Sequence, residues 1–205
     1  VAVFQPAEET GSGARAMVDD GIFDRFPRPD LCLGQHVGPT PAGMLVSKPD
    51  ILMAASDTIR VVFRGRGGHA SSPYACIDPL LMAASFALRI QSLVAHEAAT
   101  PTAPVLTVGA LHAGTAANII ADDAELLLSL RTFSASSRDH MLESVGRIAR
   151  AEADGAGAVE TPDVHAYNGF PATVNTPDAT STVMSDLRQA GLGMHTLSQP
   201  LSGSE

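Results

Sequence analysis

Two adjacent carboxylates, Glu8 and Glu9, lie in FQPAEET, directly after the apolar run Val1-Ala2-Val3-Phe4. An imidazole, His36, closes a second short apolar run in PDLCLGQHV. Carboxylate and imidazole together suit Zn²⁺ or Mn²⁺. A second acid beside a ligand acid can act as base on a water held by the metal. A simpler account stands beside this one, because acids favour the first turn of a helix through the macrodipole. Two ligands are also too few for a metal site, which takes three or four from the protein.

Two further stretches carry chemistry-bearing residues. In FRGRGGHASSP, a strand-like run enters Gly65, Gly67 and Gly68 and then His69. The glycines permit close backbone approach or positive φ, and a loop His69 could donate to an oxygen. A hairpin turn with an incidental histidine fits the same residues. In HAGTAANIIADDAELLLSLR, Asn118 sits among small residues before an apolar run that ends at Arg131. Asn can orient an amide or carboxylate, and Arg can clamp a carboxylate with two hydrogen bonds. A turn-forming Asn and a surface Arg are the plain alternative. His96, His112, His140, His165 and His195 read as structural or surface residues.

The elements that must position these residues follow from periodicity. Val1–Phe4 reads as a buried strand, residues 10–23 as a helix through Ala14, Met17, Val18 and Ile22, and residues 29–37 as a second strand containing a buried Cys32. Strand, helix, strand predicts a parallel sheet with Glu8, Glu9 and His36 at one sheet edge. From residue 54 the pattern changes. DTIRVVFRG alternates, with Ile59, Val61 and Phe63 on one face. A helix starts near Asp78-Pro79, and PVLTVGALHAG and DAELLLSLRTF supply two strands. A helix over SRDHMLESVGRIARAEADGAG and a strand in AVETPDVHAY complete β-α-β-β-α-β, the ferredoxin-like order. The expected organisation is an α/β domain at 1–53, an inserted α+β domain at 54–166, and a return to the first domain over 167–205.

Composition bounds the partners. The 205 residues are 45% hydrophobic, which is enough for a core, but only 4% aromatic and without Trp, so that core is aliphatic. A net charge of -9 argues against nucleic acid, which needs a basic face. Two cysteines, Cys32 and Cys76, make no disulfide framework, and a reduced cytoplasmic setting is expected. No apolar run is long enough to span a bilayer, so no membrane partner is expected.

Taken together, FQPAEETGSGARAMVDDGIF, GQHV, GRGGHASSP and GTAANIIADDAELLLSLRTF resemble, in order and spacing, the metal-dependent amidohydrolases that include hippurate hydrolase, N-acyl-amino-acid deacylases and plant auxin-amide hydrolases. The resemblance covers essentially the whole chain. It implies two divalent metal ions, Zn or Mn, and hydrolysis of the amide of an N-acyl amino acid by a metal-activated water. Within it Glu8 matches the general base, and Glu9 and His36 match metal ligands. The inserted domain matches a dimerisation, or lid, domain of a homodimer, whose His69 reaches the partner's site and stabilises charge on the substrate carbonyl. Asn118 matches a residue near substrate in the same lid, and Arg131 is assigned there with it. Tyr74, Ala121 and Leu128 stand where many relatives have His, Pro and Gly, which bears on fine specificity. The remaining ligands of the relatives lie in segments this sequence does not include, so it reads as an internal fragment. A catalytically inactive dimerisation or binding module, and a dipeptidase or carboxypeptidase of the same superfamily, are the alternatives.

Overall fold

The computed structural model describes residues 1–97 and 102–204, apart from the side chains of Glu9 and of residues 95–97. In chain order the elements are α1 (Gly13–Asp19), α2 (Ile22–Arg25), β1 (Met44–Ser47), β2 (Asp50–Met53), β3 (Ala55–Arg64), β4 (Gly68–His69), α3 (Pro79–Glu97), β5 (Val105–Ala113), β6 (Ile119–Ile120), β7 (Asp123–Thr132), α4 (Ala135–Gly155), β8 (Asp163–Phe170), β9 (Thr173–Asn175), α5 (Pro177–Gln189) and β10 (Gly193–Thr196).

The centre is a four-stranded antiparallel sheet in the order β5-β7-β3-β8. With α3 and α4 on one face it is the ferredoxin-like arrangement that the β-α-β-β-α-β order predicts. Ile59, Val61 and Phe63 of β3 and Leu126, Leu128 and Leu130 of β7 point to the helices and are sealed by Phe86 and Ile90 of α3 and Met141 and Val145 of α4. Phe63 and Phe86 meet with tilted rings 5.6 Å apart. The helix starts are fixed locally. Pro79 opens α3 while the Asp78 carboxylate accepts from the Leu80 N–H at 2.9 Å, and Ser134 caps α4 by accepting from Ser137 N–H at 3.1 Å.

One inward position of β3 is charged. Asp57 accepts two hydrogen bonds from Arg138 of α4, both at 2.7 Å, and so ties the start of the sheet to the start of that helix. Across the helix pair, Glu152 of α4 accepts from Ser85 Oγ at 2.6 Å and from Arg89 Nε of α3.

Outside this sheet, β1 pairs parallel with β10 and β2 antiparallel with β9. The expected strands at 1–4 and 29–37 do not form. Neither run has a ladder partner among the described residues, and Val1, Phe4, Leu33 and Val37 are exposed, as is Cys32. An apolar run supplies side chains for a strand but not the neighbouring backbone that a strand needs. The helix expected over residues 10–23 is instead two short pieces, α1 and α2, broken at the left-handed Gly21. Among the described residues no helix is long and apolar enough to cross a membrane.

Candidate functional site

Glu8 and His36 do come together, though not on strand ends. The His36 Nε2 lies 3.3 Å from Glu8 Oε1, and both side chains remain half exposed. Glu8 opens a single 3-10 turn, Glu8–Thr10, closed by Gly11 N–H donating to the Glu8 carbonyl at 2.8 Å. Before it stands Ala7 at φ 50°, ψ 41°, a left-handed backbone that costs an ordinary residue about 1–2 kcal/mol. The Glu9 side chain, expected as a metal ligand, lies outside the described residues, as does that of His96.

Among the described residues no group of three or more His, Cys, Asp or Glu side chains converges. The carboxylate and imidazole that do meet are of the right chemistry for Zn²⁺ or Mn²⁺, but they fit one edge of a site and not a full coordination shell.

The His69 stretch is built by close backbone approach. Its glycines carry ordinary φ values, and the space around them explains their presence. A Cβ on Gly65 would lie 2.1 Å from the Ile77 carbonyl oxygen, and one on Gly67 would lie 2.5 Å from that of Ile120. The Gly67 N–H also donates to Asp122 Oδ1 at 2.9 Å. These contacts seat β4 on β6, with His69 opposite Ile119 and the Ala70 N–H on the Asn118 carbonyl at 2.9 Å. His69 and Asn118 are therefore neighbours.

The Ser71 N–H points at His69 Nδ1 at 3.2 Å, and Ser71 Oγ lies 2.7 Å from the same atom. A backbone N–H can only donate, so Nδ1 accepts and the neutral ring carries its hydrogen on Nε2. That leaves Nε2–H as the donor the ring can present to an oxygen. The Ser71 contact is local, made within two residues. The Asp122 contact carries no local signal, because it is made across 55 residues.

Arg131 stands apart from this pair. It lies near the end of β7, eight steps of about 3.3 Å from Asp123, so roughly 26 Å of strand separates it from the His69–Asn118 end. Its guanidinium donates to Ser204 Oγ. In register it sits beside Ser56, which in turn sits beside Phe170. Phe170 packs on Gly11, where a Cβ would fall 2.2 Å from the ring. Arg131 thus occupies the end of the sheet nearer Glu8, and His69 and Asn118 occupy the other.

Residues 55–156, which hold β3, β5 and β7 of the central sheet with α3 and α4, match the peptidase dimerisation domain of the M20 type. The chain belongs to the M20 family of amidohydrolases and peptidases. It is 32% identical to thermostable carboxypeptidase 2 of Saccharolobus solfataricus over 99% of this chain and 51% of that protein. It is 35% identical to the hippurate hydrolase of Campylobacter jejuni over 72% of this chain and 38% of that one. A crystal structure of a dinuclear metal binding peptidase from the M20 family of Bacillus subtilis superposes with a TM-score of 0.71 at 25% identity, covering 98% of this chain and 49% of that one. The chain spans about half the length of these relatives.

Proposed function

We propose that the protein is a metal-dependent amidohydrolase that cleaves the amide of N-acyl amino acids. The observation that carries this reading is the approach of Glu8 to His36 at 3.3 Å, on a chain whose other half is a peptidase dimerisation domain. His36 and Glu9 would hold one side of a pair of divalent ions, Zn²⁺ or Mn²⁺. When bound, such ions lower the pKa of water and polarise a carbonyl. Glu8 takes a proton from the attacking water and returns it to the departing amine, so the carboxylate ends as it began. His69, with its hydrogen on Nε2, donates to the carbonyl oxygen as negative charge develops there. Asn118 beside it orients the amide. Arg131, on the Glu8 side, is the cation available to a substrate carboxylate.

We also propose that the unit spanning 54–166 joins two copies of the chain. Its two edges differ. On one side α3 exposes Leu81 and Leu88, one heptad apart, and edge strand β5 exposes Val105 and Leu111. On the other, β8 is flanked by the ion pairs Arg60–Asp163 and Arg64–Glu160 and bent by the left-handed Asn168. The apolar edge is the one a second copy would cover, and the charged, bent edge resists pairing. A reduced, cytoplasmic setting suits two unpaired cysteines.

Hydrolysis of N-acetyl and N-benzoyl amino acids, with and without added Zn²⁺ or Mn²⁺, tests the reading. Metal-dependent release of the amino acid is expected, with Glu8→Gln lowering kcat by at least about a hundredfold. Normal turnover in Glu8→Gln would refute its role as base. The second reading, an inactive dimerisation module, draws on the match of residues 55–156 to a peptidase dimerisation domain. A dimer without metal uptake or hydrolysis would establish it.

A further inference from the structure

We infer that the Thr10 hydroxyl is a positioning group for Glu8, holding Ala7 in its left-handed backbone so that the Glu8 carboxylate stays on His36. This rests on the proposed role of Glu8. The turn around Glu8 is closed from both sides without help from a sheet. Thr10 Oγ1 donates its one hydrogen to the Ala7 carbonyl at 3.0 Å, so Ser12, whose Oγ lies 2.8 Å from the same oxygen, is the donor in that second contact. On the other side Gly13 lies so close to the Pro6 carbonyl that a Cβ would fall 1.5 Å from its oxygen.

Within this loop Ala7 at φ 50° and Gly11 at φ 64° both take the left-handed region, but only Gly11 does so without a side-chain penalty. Thr10 is exposed, so its place in the turn is not explained by burial. Release of its hydrogen bond would let Ala7 return to negative φ. That turns the following chain by on the order of 100° and carries the Glu8 carboxylate off the imidazole. A non-glycine residue held in a sparsely populated region by its surroundings is the pattern by which a reactive side chain is aimed.

Thr10→Val keeps the shape of the side chain and removes the donor. The expected result is a kcat lower by between about tenfold and a hundredfold with KM little changed, as for a misaimed catalytic group. The melting temperature should hold, and the Ala7 ¹³Cα and ¹³Cβ shifts should leave their left-handed values. In an Ala7→Gly background the same substitution should lower kcat by only about twofold, because glycine takes positive φ without the hold. Thr182→Val, which removes an exposed hydroxyl-to-carbonyl bond at 3.0 Å in α5, is the control expected to change none of these.

Left-handed Ala7 shifts that persist in Thr10→Val would overturn the inference, as would a kcat loss of equal size in both backgrounds. A wild-type protein that hydrolyses no N-acyl amino acid refutes the proposed function instead, and the shift measurement still decides the Thr10–Ala7 hold.

Discussion

Removing the two partners of the Asp57–Arg138 pair should have unequal consequences. The Asp57 side chain is 2% exposed and the Arg138 side chain 37%. Their bidentate contact, and the hydrogen bond to Asp57 above all, holds the Arg138 guanidinium above its already high ordinary pKa, against the opposing effect of burial. In Arg138→Leu the carboxylate is left under the helix layer with no cation, and loss of one partner from a buried pair costs about 3–5 kcal/mol. In Asp57→Ala the guanidinium turns to water, so only the charged hydrogen bonds are lost, about 1.5–3 kcal/mol. The difference of ~1–2 kcal/mol is a factor of roughly 5–30 in the folding equilibrium. Urea unfolding of both single variants and the double variant, followed by circular dichroism, measures it. The double variant should be more stable than Arg138→Leu alone, because the stranded charge is gone. Asp57→Ala as damaging as Arg138→Leu, or simple additivity in the double variant, would refute the reasoning.

Burial alone pushes the Glu152 carboxyl up, but the Ser85 hydrogen bond and the bond and charge of Arg89 outweigh it and hold the group below its ordinary value of 4.5. A carboxyl depressed in the folded state adds stability above its unfolded pKa and loses it as pH falls through the folded value. The chain should therefore lose stability as pH is lowered from about 5 through and below the ordinary carboxylate range, and thermal melts of Glu152→Gln should show a shallower slope there. Leu81→Glu with Leu88→Glu should shift the sedimentation coefficient from dimer to monomer without lowering helix content, because both side chains are already exposed. A dimer that survives both changes places the interface elsewhere.

The ferredoxin-like sheet was legible because its information is local. Ile59, Val61 and Phe63 alternate within one strand, and Met141, Val145, Ile148 and Ala149 line one stripe of one helix. Asp57 was hidden by the same alternation: it occupies an inward position, and its partner stands 81 residues on. The strands expected at 1–4 and 29–37 failed for the converse reason. Their apolar character is local but their ladder partners would not be, and Phe4 and Val37 are instead exposed. The meeting of Glu8 and His36 was anticipated, yet the device that brings Glu8 there was not, since nothing in an alanine announces a positive φ. The resemblance places Asn118 and His69 in one lid domain, and the β4–β6 pairing sets them side by side. Asn118 and Arg131 share one stretch of sequence, but the length of β7 puts Arg131 at the end of the sheet away from Asn118.

That separation bears on how a site using all these residues could work. Within one copy, β3 runs from Ala55, beside the Phe170–Gly11 contact, to Arg64, which leads to His69. Its ten residues span about 30 Å. A rigid sheet of that length, tied at its start by Asp57–Arg138 and at its far end by Gly67–Asp122, cannot fold back to bring His69 to Glu8 of the same chain. If the imidazole and the carboxylate act on one substrate, they act from different copies. The rigidity of the sheet would then be a functional requirement, because it would set how far the histidine of one copy reaches into the other.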